Sequence, residues 1–146
     1  MIQVPDLCIG NWVYDGERTQ FPMQVVGIGS DYVYLDFPQN EGDLWESKPE
    51  DLMGIPLTGE LLKKIGFEEH KDNVLKEFSY YLYWDKEHKY KLDVCDIYTN
   101  SDRRWHAHID NEDCCSLGSG EFDYVHELQN LVRIITKKEL KVNLWK

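Results

Sequence analysis

The first third of the chain alternates short apolar stretches with turn residues, which predicts strands. Residues 7–14, 21–28 and 31–37 are rich in β-branched and aromatic side chains, and the last two are joined tightly at Gly29-Ser30. A further extended stretch is predicted over 52–57. Several short strands with tight turns predict a small twisted barrel or an open sheet.

Two later stretches have the spacing of helices. Apolar side chains at helical spacing predict a short helix over 59–65, with Thr58 as its N-cap and Gly66 in the left-handed position that ends a helix. A longer helix is predicted over 124–135, because its apolar side chains fall on one stripe of the 3.6-residue period. Asp123 is the predicted N-cap of this second helix.

The stretch between the two helices predicts a second β section. Residues 75–84 and 90–94 predict a hairpin joined through 85–88, and 103–109 alternates with Trp105, Ala107 and Ile109 on one face.

Two shorter patterns complete this section of the chain. Gly118-Ser119-Gly120 predicts a flexible turn. The alternation over 140–144 predicts a last strand.

These patterns together predict an α+β fold in two sections. Residues 1–55 form a small SH3-like β-barrel section, and residues 56–146 form an antiparallel sheet with two helices. Pro56-Leu57-Thr58 marks the boundary. The patterns leave open whether the two sections share one core. The length of 146 residues, of which 42% are hydrophobic and 13% aromatic, suffices for a packed core.

The net charge of −11 is concentrated in the first section of the chain. Residues 1–60 hold eleven acidic and two basic side chains, whereas 61–146 hold sixteen acidic and fourteen basic ones. Such a surface repels phosphate backbones, so direct binding of nucleic acid is disfavoured. The acidic section either suits a basic partner or serves solubility, which is the commoner use of charge runs.

The cysteines and the apolar runs indicate in which cellular compartment the protein is expected. None of the four cysteines forms a Cys-x-x-Cys pair, and the first residues lack a signal-peptide pattern. The longest apolar run, residues 80–84, is far too short to span a bilayer. A reducing cytoplasm with free thiols, and no membrane, is the simplest expectation.

Two stretches carry a resemblance to a known group of proteins. They are Ile55-Pro56-Leu57-Thr58-Gly59-Glu60-Leu61-Leu62 and Tyr124-Val125-His126-Glu127-Leu128-Gln129-Asn130-Leu131. In sequence and order, the chain resembles small uncharacterised proteins of Bacteroidetes genomes, often found in phage-like or mobile regions. The resemblance covers most of the chain and implies source and fold, but no activity. Relatives often have Thr-Gly after the second helix, where this chain has Thr136-Lys137.

The polar side chains of the second helix are the best candidate binding residues. His126, Asn130 and Arg133 are spaced at i, i+4 and i+7, which predicts a polar ridge opposite the apolar stripe. The ridge is a binding surface, a polar contact that holds a neighbouring loop through Asn130, or an ordinary solvated helix face. Trp45, an aromatic side chain in an acidic loop, is the second binding candidate and is alternatively a packing anchor for that loop.

The best metal-like pair is His106 and His108, which share one face of a predicted strand with Asp110. A catalytic zinc site needs three protein ligands, so Cys114 or His126 would have to supply another. A polar outer sheet face is the simpler interpretation. Because no dinucleotide fingerprint, phosphate loop or zinc-protease motif occurs, we expect no cofactor and assign no metal or catalytic residue.

These observations favour a non-enzymatic protein–protein interaction module, encoded by a phage or another mobile element and bound to a protein partner that the sequence does not identify. One alternative is a small metal-dependent hydrolase that uses His106, His108 and a carboxylate. Another is an acidic mimic of nucleic acid that inhibits a DNA-binding protein.

Overall fold

A computed structural model describes residues 2, 4–16, 21–39, 41–71, 78–85, 90–99, 102–111 and 116–145. The described residues form ten strands and two α-helices. The strands are β1 (Trp12–Asp15), β2 (Met23–Ile28), β3 (Val33–Asp36), β4 (Trp45–Ser47), β5 (Leu52–Gly54), β6 (Glu68–Lys71), β7 (Phe78–Asp85), β8 (Tyr90–Thr99), β9 (Asp102–Asp110) and β10 (Ser116–Phe122). The helices are α1 (Gly59–Ile65) and α2 (Val125–Thr136), and 3-10 turns span Val4–Asp6 and Pro49–Asp51.

The chain divides into two compact units, each with one antiparallel sheet of five strands. Unit 1 comprises Met1–Pro56, Tyr124–Asn130 and Asn143–Lys146. Unit 2 comprises Leu57–Asp123 and Leu131–Val142. The fold is therefore an α+β mixture in which sheet predominates.

The sheet of unit 1 has the strand order β4-β3-β2-β1-β5. Its inward side chains form one apolar core with Ile2 and Leu7, and Phe37 and Trp45 pack against its rim. The core strand positions are Val13, Met23, Val25, Val33, Leu35 and Leu52. Every second side chain faces this core, because successive side chains of a strand point to opposite sides.

This sheet is strongly curled. In a flat sheet, the edge strands β4 and β5 would lie about 19 Å apart, since neighbouring strands are about 4.8 Å apart. Here they are joined by Lys48 and the 3-10 turn Pro49–Asp51, and such a turn rises only about 2 Å per residue. The side chain of Trp45 in β4 also reaches Asp15 in β1, three strands away in the order. In the described part of the chain β4 and β5 do not pair, so no closed barrel is found.

The sheet of unit 2 has the strand order β10-β9-β8-β7-β6. One face is buried, as the alternation along 103–109 predicts, and Trp105 donates from Nε1 to the carbonyl oxygen of Leu57 at 3.0 Å. The buried strand residues are Tyr80, Leu92, Val94, Trp105, Ala107, Ile109 and Phe122. Leu62 of α1 and Val132 of α2 are likewise buried within this unit.

The short helix α1 spans the predicted range, and its ends are capped as the sequence predicts. The Thr58 Oγ1 atom accepts a hydrogen bond from the backbone N–H of Leu61 at 3.1 Å. Gly66 has a φ of 119°, in the left-handed region, and its N–H donates to the carbonyl oxygens of Leu62 and Lys63.

The longer helix α2 begins one residue later than predicted, so Tyr124 and not Asp123 directly precedes its first residue. Tyr124 precedes the first helical residue, and its N–H donates to Glu127 Oε2 at 3.4 Å, as in one half of a capping box. Gly54 leaves room for the Tyr124 ring, because a Cβ at Gly54 would lie 2.4 Å from that ring.

Several strand predictions differ from the structure. β1 begins only at Trp12, because Gly10 has a φ of 97° and the preceding residues form a turn. Residues 140–144 form no strand, and β4 and β6 are not predicted at all. Gly118-Ser119-Gly120 lies inside β10 and is not a turn.

The sequence prediction around β7 extends beyond the described part of the chain. The predicted residues 75–77 and the connection 86–88 lie outside the described residues.

Among the described helices, none combines the length and the apolar character that crossing a membrane requires.

Candidate functional site

The outer face of the unit 1 sheet carries a row of aromatic and apolar side chains. Val13 of β1 is buried, so the alternation places the next side chain, Tyr14, on the outer face. Tyr14 pairs with Met53 of β5, which is 47% exposed. The two side chains therefore lie side by side on the outer face of neighbouring strands.

Residues next to β2 extend this row. Val13 pairs with Met23, and Tyr14 and Pro22 are the next residues along the two antiparallel segments. Trp145 donates from its indole Nε1 to the carbonyl oxygen of Pro22 at 2.7 Å. Phe21, the residue before Pro22, is 60% exposed. We call Tyr14, Phe21, Pro22, Met53 and Trp145 the aromatic row.

Trp145 is held in place by a second contact, with Trp12 of β1. Their ring centroids are 4.7 Å apart in an edge-to-face arrangement, and Trp12 is buried. Such a geometry is the favoured one for aromatic pairs. The indole of Trp145 is therefore a fixed part of the aromatic row.

Acidic groups border the aromatic row where β5 begins. Asp51 directly precedes β5, and its carbonyl oxygen accepts from the N–H of Gly16 at 2.7 Å. A Cβ at Gly16 would lie 3.9 Å from the sulfur of Met53, so this turn and the Met53 side chain are neighbours. The arrangement combines an apolar strip with exposed carboxylates, which complements a partner segment that is both apolar and basic.

His126 does not lie on a solvent-facing ridge, so that part of the sequence prediction is wrong. Its side chain is only 3% exposed and stacks on Tyr124, with ring centroids 5.8 Å apart. Its Nδ1 atom is buried without a hydrogen-bond partner among the described residues. Burial lowers the pKa of His126 below its ordinary value, while Glu127 and Asp6 act in the opposite direction.

Asn130 and its neighbour Gln129 bind the segment that leads into β1. Asn130 donates from Nδ2 to the carbonyl oxygen of Asp6 at 2.6 Å and accepts at Oδ1 from Asn11 at 2.9 Å. Gln129 donates to the carbonyl oxygen of Gly10 and accepts from the N–H of Trp12, both at 3.0 Å. These amides satisfy backbone groups that no strand pairs with, so their role here is structural.

The other two candidate binding residues also make contacts inside the chain. Arg133 forms an ion pair with Glu139 at 2.5 Å. Trp45 donates from its indole N–H to Asp15 Oδ2 at 2.5 Å, and Asp15 is buried. Trp45 is thus a packing anchor across the curled sheet, which is the alternative that the sequence left open.

The histidine pair lies on the outer face of the unit 2 sheet, as its alternation predicts. His108 Nε2 lies 2.8 Å from Asp110 Oδ1, and in the ladder His106 pairs with Cys95 on one side and Glu121 on the other. Among the described residues, however, no three His, Cys, Asp or Glu side chains are close enough to hold a metal ion. Cys114, one possible third ligand, lies outside the described residues.

The comparisons with known proteins add no relative. No protein-family model, no curated protein and no solved structure matches the chain.

The aromatic row was not found from the sequence. Its members come from four separate stretches, at 14, 21–22, 53 and 145, which the strand register and the hydrogen bond from Trp145 to Pro22 bring together. The alternation in Val13-Tyr14-Asp15 indicates that Tyr14 faces away from the core, because Val13 and Asp15 on either side of it face inward.

Proposed function

We propose that the chain is a non-enzymatic protein–protein interaction module that binds its partner at the aromatic row. The observation that carries the proposal is the row itself, where exposed Met53 lies beside Tyr14 on one sheet face, and Trp145 bonds to Pro22 next to exposed Phe21. Aromatic residues and methionine are enriched at protein interfaces, and they lose little conformational entropy on binding when their rings are already fixed.

The preferred partner segment is extended, apolar and basic. Its apolar side chains would lie along Tyr14 and Met53, and its basic groups would meet the carboxylates around Asp51. Attraction between opposite charges at the rim of an interface mainly raises the association rate, whereas buried aromatic contacts determine the lifetime of the complex. This division of roles makes the aromatic row the part of the surface that a substitution should affect most.

We further propose that unit 1 is an SH3-like small barrel. The curl of its sheet supports this, since a 3-10 turn joins the two edge strands and Trp45 bonds to Asp15 across the sheet. Small barrels of this kind leave loops and strand edges free for recognition, although the fold by itself does not dictate a function.

The origin in a phage or mobile element of a Bacteroidetes genome is also a proposal. It rests on the Ile55–Leu62 and Tyr124–Leu131 segments that the sequence shares with that group. Gene neighbourhood provides the test. Phage structural or defence genes beside this gene would support the proposal, and a conserved metabolic operon around it would contradict it.

The binding proposal is tested by capture from a nuclease-treated host lysate with a tagged chain. We expect one stoichiometric partner, whose affinity falls about thirtyfold or more for Tyr14→Ala combined with Met53→Ala, because truncating interface anchors costs about 2 kcal/mol or more. Leu44→Ala is the matched control, since Leu44 is also exposed in unit 1 but lies outside the aromatic row.

Met53 and Leu44 are exposed and Tyr14 is half-buried, so the thermal unfolding of both variants is measured to confirm that they fold. Equal capture by the wild-type chain and the double variant would reject the aromatic row as the binding site. Absence of any stoichiometric partner would contradict the interaction-module proposal itself.

A further inference from the structure

The two edge strands of the unit 2 sheet differ in how they are protected from pairing. β6 has four residues, Glu68 to Lys71, and all four are exposed and charged or titratable. Such side chains keep an edge strand from pairing with another chain. β10 has seven residues, of which Glu121 is the one charged residue, and a β-bulge at Leu117 precedes the regular pairing of Gly118–Phe122 with β9. Within the described residues only β9 pairs with β10, so its other edge faces no strand.

The exposed apolar side chains of unit 2 flank the edge formed by β10. In the described part of the unit, the large hydrophobic side chains that are exposed are Leu117 of β10, at 40%, and Ile134 of α2, at 68%. Leu117 is the extra residue of the β-bulge in this strand. The two features, a strand edge with a single charged residue and its exposed apolar flanks, therefore coincide.

The position of Ile134 follows from the way α2 covers β10. A Cβ added at Gly118 would lie 2.7 Å from Ile135, and a Cβ added at Gly120 would lie 3.1 Å from Leu131. The helix therefore packs closely on these two glycines. Around the helix, the side chains follow the order Val132, Ile135, Leu131, Ile134, because each residue turns the helix by about 100°. Val132 is buried, so Ile134 lies beyond the residues that cover β10, on the side away from the core.

We propose that β10 pairs in antiparallel fashion with β10 of a second copy of this chain, with Ser119 on the two-fold axis. The two five-stranded sheets then form one continuous sheet across the dimer. This surface belongs to unit 2 and is independent of the aromatic row in unit 1.

A second copy fits because the strand is self-complementary about Ser119. The stretch Gly118-Ser119-Gly120 is the same in both directions, so each Gly118 faces Gly120 of the partner subunit. Leu117 faces Glu121 of the partner subunit, so the two glutamates do not oppose each other, and like charges directly across a strand pair destabilise it. An isologous two-fold contact requires this kind of reciprocal matching.

The contact is small, so the dimer is expected to be weak. One strand pair with Leu117 and Ile134 from each copy lies at the low end of interface sizes, for which we expect a Kd on the order of 10 μM. The molar mass should therefore rise with concentration, which sedimentation velocity and light scattering after size exclusion measure on the whole chain.

Substitutions on the two-fold axis test the register directly. Ser119→Lys and Ser119→Asp each place like charges opposite one another, so we expect either variant alone to weaken dimerisation about tenfold or more. An equimolar mixture of the two variants should form a heterodimer, because a lysine then faces an aspartate. This rescue also shows that both variants fold. His70→Lys is the matched control on the exposed edge strand β6 and should leave dimerisation unchanged.

Three results would overturn the proposal. They are a wild-type chain that stays monomeric at concentrations on the order of 1 mM, a dimer that Ser119→Lys leaves intact, and a mixture of the two variants that remains monomeric. The chain could instead stay monomeric, with its β10 amides protected from hydrogen exchange only when an extended peptide is added. That result would show that β10 pairs with a foreign strand and not with a second copy.

Discussion

The burial of His126 in unit 1 affects the charge of its imidazole ring. The imidazole is enclosed, stacks on Tyr124 and leaves Nδ1 without a hydrogen-bond partner among the described residues. Protonation would place a charge where water is scarce, so burial lowers the pKa of His126 although Glu127 and Asp6 partly oppose this effect. The folded state therefore favours the neutral ring.

The lowered pKa predicts a loss of stability in mild acid. An unfolded chain protonates His126 below about pH 6.5, whereas the folded chain does so only at lower pH. Between these two values the unfolded state binds more protons, so the free energy of unfolding falls as the pH falls, and it levels off below the folded pKa. We expect His126→Phe to remove this part of the slope in urea unfolding measured between about pH 7.5 and 5.

The control for this prediction is His70→Gln, because His70 is exposed in β6. In this variant, the free energy of unfolding should change between neutral and mildly acidic pH as it does in the wild-type chain. If His126→Phe retained the full wild-type slope, another group would be responsible for it.

At the scale of elements, a strained residue directly follows α2. Lys137 has a φ of 60°, and its N–H donates to the carbonyl oxygen of Arg133 at 2.8 Å. This left-handed conformation is the one that glycine adopts without steric cost at a helix end. This chain makes the turn with lysine.

Lys137→Gly should therefore stabilise the protein. We expect a gain of about 0.5–1 kcal/mol in the free energy of unfolding, because the steric cost of the left-handed lysine is removed. Chemical denaturation measures the change. Lys138→Gly serves as the control, since the positive φ belongs to Lys137 alone of the two, and it should be neutral or destabilising. Equal effects of the two substitutions would contradict the prediction.

Strand β10 shows how an element can be hidden from local pattern analysis. Glycine is disfavoured in strands, so Gly118-Ser119-Gly120 predicts a turn. In the structure, Gly118 and Gly120 lie in β10 because Ile135 and Leu131 of α2 occupy the space of their missing side chains. The requirement for small residues thus comes from the helix that packs on the strand, which is distant in sequence.

For the whole molecule, the charge of −11 raises the alternative of an acidic mimic of nucleic acid. Under the interaction-module proposal, exposed carboxylates assist association but do not hold the partner. A variant with Glu41→Gln, Asp43→Asn, Glu46→Gln and Asp51→Asn should therefore lose less than about tenfold in affinity at moderate salt, where exposed charges are screened within about 10 Å.

The same capture experiment at low and moderate salt distinguishes the two functions. A captured DNA-binding protein that is released as salt rises, and that this four-site variant no longer captures, would favour the mimic. The four positions are exposed, so replacing them is expected to leave the fold unchanged.

The sequence by itself determined the features that depend on neighbouring residues. The alternation in β9 placed Trp105, Ala107 and Ile109 in the core, and Thr58 and Gly66 marked the ends of α1. Periodicity and capping are local, because they arise from the backbone geometry of one element. The predicted α+β class follows from the same patterns, although the structure contains more sheet than helix.

Only the tertiary structure decided which distant residues meet. The bond from Trp45 to Asp15, the contacts of Gln129 and Asn130 with residues 6–12, and the aromatic row all join positions far apart in the chain. His126 lies opposite the apolar stripe in helical spacing and is nevertheless buried. The helical period specifies the direction of a side chain, whereas its burial depends on what the rest of the chain places there.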